Sequence, residues 1–408
     1  MAFETDPNNA SSQSGITQRL QPRALQALNT HRKDSQYQHS VYSSALRKRC
    51  LIDYLMKKLF LLALMGPFCL TAQAQTVPSE LLDMSIEDLL QLEIVSDEES
   101  GGTQSNRWRL AYTYQMAQFK DYRIGTDRYD ALNFLWQPAQ GPRGATDYLA
   151  VTPEITQEVH ALSLSYALSS KTFVTGQIPW VKQDTDHIAV IPGWPVFTVH
   201  SEAVGDANLS VNHQFANNID SAWSLQAGIS LPTGSIEERA ATPRGPNKVL
   251  PYTMQMGSGT WDFEGGVMYL NEQPQFHWGF DANITVRTGR NDRDYRLGNK
   301  ADLNLWAYLT RWHSVQPGVK LALHSRGAIT GADPSLPGAD AAGRYPTAVV
   351  NPDNYGGDQI DAVFFLRLQP QASAWYLDAR YTAPVYQNLN GPQVSLQSSF
   401  GLSIGYSF

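Results

Sequence analysis

From Val394 to Phe408, every even position except Ser398 is apolar or aromatic, and every odd position is Gln, Ser or Gly. A period of two sustained over that length is a strand and not a helix, and it far exceeds the mean strand of about 5–6 residues. The same period recurs upstream. Trp223, Leu225, Ala227, Ile229 and Leu231 alternate with Ser224, Gln226, Gly228 and Ser230. Phe276, Trp278, Phe280, Ala282, Ile284 and Val286 alternate with a polar row ending at Arg287. Ala301, Leu303, Leu305, Ala307 and Leu309 form another apolar row, as do Trp261, Phe263, Gly265, Val267 and Tyr269. Read this way, the chain holds twelve strands, at 106–118, 157–168, 172–182, 206–216, 222–231, 259–270, 276–288, 300–311, 317–327, 359–369, 374–384 and 394–408. Pro179 interrupts the third, which makes it the weakest of the set.

The connections alternate in length. Short ones fall at 169–171, 216–221, 271–275, 312–316 and 370–373. Long ones fall near 119–156, 183–205, 232–258, 289–299, 328–358 and 385–393. A transmembrane strand needs about 9–11 residues. Short turns on one side and long loops on the other are the pattern of an up-and-down outer-membrane barrel, with one strand face to lipid and one to a polar lumen. The fold class is therefore all-β, a transmembrane antiparallel barrel over 106–408. An even strand count with a long first loop puts both termini in the periplasm. On strand 394–408 this register makes Leu402 lipid-facing and Ser403 lumen-facing, so an Arg at Ser403 is expected to be tolerated.

Residues 56–74 read as a signal peptide: Lys57 and Lys58 precede the apolar run Leu59–Leu70, and Ala72-Gln73-Ala74 fits a small-x-small cleavage site before Gln75. Residues 1–55, polar and carrying Arg47-Lys48-Arg49, are then a mis-called or disordered extension. In 75–105, Ser85 and Asp88 loosely fit a capping box and predict a short periplasmic helix. Export places the barrel in the outer membrane, in contact with its lipid. Terminal Phe408, behind alternating aromatics, resembles the assembly signal of bacterial outer-membrane barrels and implies the barrel-assembly machinery as a partner.

Composition narrows the function. Only 17 % of residues are charged against 42 % hydrophobic, and no apolar run is long enough for a spanning helix. The formal charge of −7 argues against nucleic acid. Residues 1–74 carry nine Lys/Arg and four Asp/Glu, so their removal deepens that charge to −12. Both cysteines, Cys50 and Cys69, leave with them. Candidate lumen-lining residues are Arg107, Arg109, Asp262, Glu264, Asp281, Arg287, Asp302, Lys320, Arg326, Asp361, Arg367, Asp378 and Arg380. Both signs on neighbouring strands can line a wet pore that sorts small-molecule solutes, or can pair across strands and stiffen the wall. No HExxH occurs, and the nine histidines lie scattered, so no metal, cofactor or enzymatic site is expected. His160 sits on the opposite strand face from Ser163 and Ser165, and no Ser neighbours His213 on its face, which speaks against a lipid hydrolase. A structural or adhesive barrel without transport is the remaining alternative to a channel.

Three stretches carry a family resemblance: Gly205-Asp206-Ala207-Asn208-Leu209-Ser210-Val211, Gly228-Ile229-Ser230-Leu231-Pro232-Thr233-Gly234, and Gly257-Ser258-Gly259-Thr260-Trp261-Asp262-Phe263. They look like the family described as MetA-pathway of phenol degradation. The tail Pro384-Val385-Tyr386-Gln387-Asn388-Leu389-Asn390-Gly391-Pro392 is similar to strand-end loops in that group. The resemblance covers about 204–408. It implies an outer-membrane transporter-like barrel for aromatic or other hydrophobic compounds, and brings no catalytic or binding residues with it.

Overall fold

The computed structural model describes residues 107–136, 148–312, 314–341, 343, 345–371 and 373–408. The expected extension, signal peptide and short helix of 1–105 lie outside the described residues. The chain forms β1 (Trp108–Gly125), β2 (Asp127–Tyr129), a helical turn α1 (Ala131–Trp136), β3 (Ala150–Ser169), β4 (Thr172–Ala189), β5 (Val196–Val204), β6 (Ala207–Asn217) and β7 (Ser221–Leu231). There follow β8 (Arg239–Thr242), β9 (Gly245–Val249), β10 (Asp262–Glu272), β11 (Phe276–Arg287), β12 (Tyr295–Arg296), β13 (Lys300–Leu309), β14 (Val315–Arg326), β15 (Thr330–Gly331), β16 (Gly357–Leu368) and β17 (Trp375–Ser407).

Eleven strands are hydrogen-bonded in the order β17-β16-β14-β13-β11-β10-β7-β6-β4-β3-β1, and β1 pairs back to β17, closing the sheet into a barrel. β2 pairs only β1 and β5 only β4, outside that path. Every pairing in the wall is antiparallel. A ring of antiparallel neighbours needs an even number of passes, and β17 supplies two of them. Leu377 to Leu389 pair with Leu368 to Gly357 of β16, and Leu389 to Ser407 pair with Gly125 to Arg109 of β1. The wall is thus crossed twelve times, and the expected strands all have counterparts.

Around the wall the outward rows are apolar: Leu162, Ile178, Leu209, Leu225, Phe263 and Ile284 are all about half exposed. Aromatic pairs ring the end that carries the short turns, with Trp108 against Tyr166 and Trp375 against Tyr406, each at 4.5 Å between ring centroids. A band of this kind, flanked by aromatics, is what a lipid bilayer requires of a barrel. Pro179 survives inside β4 because the ladder opposite it passes from β6 to β5. Only its carbonyl is used there, accepting from Gly205 N at 2.9 Å, so the missing donor is not needed.

Three expectations change. Most of the described residues in the connections 119–156 and 183–205 are strand, because β1 runs on to Gly125, β3 begins at Ala150, and β4 and β5 form a hairpin. Past the level of His160 and Trp180 the period of two continues with its phase inverted. Ile155, Val159 and Val181 are buried inside, while Glu158 and Lys182 pair on the outside at 3.7 Å. Beyond the bilayer a barrel meets water on its outer face and so follows the rule of a soluble protein. The connection 385–393 is likewise extended backbone within β17. Finally, Val394 and Leu396 do not belong to the outward row, since both are fully buried. Gln118 pairs with Ser398 but Phe119 with Leu396, so Gln397 is bulged and the faces exchange there.

The three motif stretches converge at the loop end of β6, β7 and β10. Asp206, 3 % exposed, accepts Gly234 N–H at 2.8 Å on one carboxylate oxygen and Ser258 N–H at 2.7 Å on the other. Thr233 Oγ1 accepts from Ala207 N at 2.8 Å and donates to Gly205 O at 3.1 Å. Gly234 and Gly257 touch so closely that a Cβ on Gly257 would lie 2.5 Å from Gly234 O, which is why both positions are glycine. The motifs are thus a clasp that fixes where the 232–261 loop leaves and rejoins the wall. Hydrogen bonds to a charged group contribute about 1.5–3 kcal/mol. Asp206→Ala should therefore speed tryptic cleavage after Arg239, Arg244 and Lys248 in the folded barrel, and cleavage at the wild-type rate would show that strand pairing alone holds the loop.

Candidate functional site in the barrel interior

The interior has three levels. At the loop end an apolar cluster joins Phe119, Tyr122, Phe134, Tyr148, Ile155 and Leu396, with Met256 and Ala348 arriving from other loops. Phe134 of α1 stacks on Tyr122 at 4.5 Å, so the first long connection folds inward across this end. A second cluster, including Tyr252, Tyr295, Val349 and Tyr355, knits the remaining loops. There Arg293 bridges Asp333 and Glu237, and its guanidinium holds the Glu237 carboxyl below the ordinary carboxylate range.

From mid-height to the loop end the charges gather on one wall. Arg287 pairs with Asp262, each side chain 1 % exposed. Asp302 meets His324 at 2.6 Å and Arg326 at 2.9 Å, and the other ring nitrogen of His324 reaches Asp361 at 3.5 Å. Asp361 also accepts from Gln359, which accepts in turn from Gln387. Asp281 accepts from Asn283 at 2.8 Å and Asn304 at 2.7 Å. Glu264, half-buried, accepts from Asn208 at 2.7 Å. Across the barrel the inward positions of β3 to β7 carry no Asp, Glu, Lys or Arg among the described residues. That wall is built from Ser, Thr, Asn and Gln, as in the contact of Gln177 with Ser163 at 2.9 Å.

Near the turn end the interior turns aromatic. Trp306 and Tyr308 of β13 stack at 5.8 Å, and Phe365 of β16 meets Tyr308 edge-on at 6.2 Å. Glycines on neighbouring strands leave room for these rings. A Cβ at Gly279 would come 2.5 Å from the Trp306 ring, and one at Gly318 would come 2.2 Å from that of Phe365. Between them lies a partly open cavity, lined also by Lys320, Val363, Arg367, Asp378 and Arg380. Arg367 forks onto Asp378 through two 2.8 Å hydrogen bonds and lies 4.7 Å over the Tyr376 ring. Arg380 donates to Ser403 Oγ at 3.0 Å.

The predicted lumen residues separate accordingly. Asp262, Asp281, Arg287, Asp302, Lys320, Arg326, Asp361, Arg367 and Arg380 are buried, with Glu264 and Asp378 half-buried beside them. Arg109 is half-buried at the turn end, near Ser407. Arg107 is exposed, one residue before β1, and the structure does not bring it to the others. Sequence reasoning passed over His324, Gln359 and Lys300. Their parity was the available signal: His324 shares the inward phase of Lys320 and Arg326, and Lys300 that of Asp302. His160 and His213 both face outward, against Tyr112 Oη at 2.7 Å and Thr172 Oγ1 at 2.9 Å, whereas Ser163 faces inward.

No protein-family model matches the chain, and no curated protein does. Solved structures share the fold. An outer-membrane channel from Pseudomonas putida F1 is 10 % identical with a TM-score of 0.50, over 75 % of this chain and 97 % of that one. A homologue of FadL from Pseudomonas aeruginosa is 11 % identical with a TM-score of 0.37, over 74 % and 91 %. The toluene transporter TodX from P. putida is 8 % identical with a TM-score of 0.36, over 75 % and 91 %. The fold is that of an outer-membrane β-barrel.

Proposed function

We propose that this protein is an outer-membrane channel that passes small molecules by diffusion, with aromatic or hydrophobic compounds as its preferred solutes. The observation that carries this is the interior: buried charges on one wall, neutral polar groups on the other, and an open cavity between aromatic rings where a purely structural barrel would hold a packed core. The apolar cluster at the loop end favours solutes with an apolar body, because they can cross it when the loops part. That same cluster fills its end of the barrel, which is what a structural or adhesive barrel without transport would also need. Conductance separates the two. Refolded protein in a planar bilayer should give discrete current steps, and a silent bilayer containing heat-modifiable, folded protein would defeat the channel. In the proposed orientation the loop end faces outward from the cell. Tags within 328–358 should then be reachable on intact cells and tags at 271–275 should not.

A further inference from the structure

We propose that the cavity at the turn end is a binding site for a monoanionic aromatic carboxylate. This rests on the channel reading above and names its solute class. Lys320 is 8 % exposed, its side chain lines the cavity, and its ammonium has no hydrogen-bond or ion-pair partner among the described residues. Arg380, 6 % exposed, lines the same cavity and is held by the neutral hydroxyl of Ser403, with no carboxylate within ion-pair distance among the described residues. The carboxylates along this wall are engaged elsewhere. Asp378 is forked by Arg367, Asp361 is held by Gln359 and His324, Asp302 by His324 and Arg326, and Asp281 by two amides. Asp281, Asp302 and Asp361 face Lys320 across a longer gap, and none reaches it within ion-pair distance among the described residues. A buried cation lacking an acceptor is costly, and a ligand carboxylate seated on Lys320 and Arg380 would supply one.

The rest of the cavity selects the body of that ligand. Tyr308, Phe365 and Trp306 offer ring faces and edges for a flat apolar group, and Val363 adds an apolar side. A neutral hydrocarbon would leave Lys320 unanswered. A dianion such as phosphate would meet the nearby aspartates and gain nothing from the aromatic walls.

The test is calorimetric titration of the refolded full chain in detergent with sodium benzoate, benzyl alcohol or sodium acetate. Benzoate should bind saturably, and the other two at least about tenfold more weakly. Lys320→Met, folded as judged by heat-modifiable mobility, should weaken benzoate binding at least about tenfold and leave benzyl alcohol unchanged. Lys320→Gln serves if the methionine variant does not fold. Wild-type benzoate affinity in the folded variant, equal binding of benzyl alcohol, or no benzoate binding at all would overturn the site. Because titration needs no conduction, binding without conductance would keep this site and overturn the channel, and conductance without binding would do the reverse.

Discussion

Leu402→Arg should lower barrel stability clearly, because a cation on the lipid face costs about 2–4 kcal/mol at the bilayer midplane and less toward the interfaces. Leu402 sits in the outward row of β17 with Phe400 and Ile404, and its neighbour on β1 is Tyr114. The sequence pattern alone makes Ser403 the natural control, one residue on and facing inward. The structure removes it from that role. Ser403 is 1 % exposed, wedged between Thr113 Oγ1 at 3.0 Å and the guanidinium of Arg380 at 3.0 Å. An arginine there would be overpacked and would face a like charge. The better control is Gln226, half-buried on the neutral wall, where no inward Lys or Arg faces it among the described residues. Folded yield and the midpoint of urea unfolding in lipid should fall for Leu402→Arg and stay near wild type for Gln226→Arg. Equal behaviour of the two would mean that the faces are assigned wrongly.

That pairing shows what alternation can and cannot carry. A period of two states which face a residue occupies, and through the belt it does so correctly on every strand from β6 to β16. It does not state how full the interior is, and so it treats Ser403 and Gln226 as equivalent. It also fails where the environment on one side changes along a strand. On β3 and β4 the inversion above His160 and Trp180 reads locally as a loop, because apolar and charged residues have exchanged faces. On β17 the only irregularity visible in the sequence is Ser398, which marks the neighbouring bulge at Gln397. The folding of α1 into the loop end depends on contacts between segments far apart in the chain, as with Phe134 against Tyr122 and Tyr148. The wall charges were legible as inward positions. Their pairing was not, because it depends on strand neighbours and register.

Arg287→Met should cost about 3–5 kcal/mol, the usual consequence of leaving one member of a buried ion pair without its partner. Arg287 and Asp262 are each 1 % exposed, so water cannot replace the lost guanidinium. The side chain does more than neutralise Asp262. Its Nε donates to Gly298 O at 3.1 Å, and the backbone N–H beside it donates to Asn299 Oδ1 at 3.0 Å, so one residue ties β10, β11 and the entry to β13 together. The surface pair of Arg128 and Asp121 gives the contrast. Its distance is 2.6 Å, but the arginine is 44 % exposed, and such pairs contribute about 0–1 kcal/mol. Arg128→Met should therefore leave the unfolding midpoint nearly unchanged. In the double variant Asp262→Leu with Arg287→Met no charge remains buried, and most of the lost stability should return, since buried ion pairs and well-packed apolar replacements are often close in energy. A cycle of the two single variants and the double, followed by urea unfolding in lipid, measures this directly. If the double variant is as unstable as Arg287→Met alone, the cost lies in the lost side-chain tie to Gly298, and the stranded carboxylate is not its source.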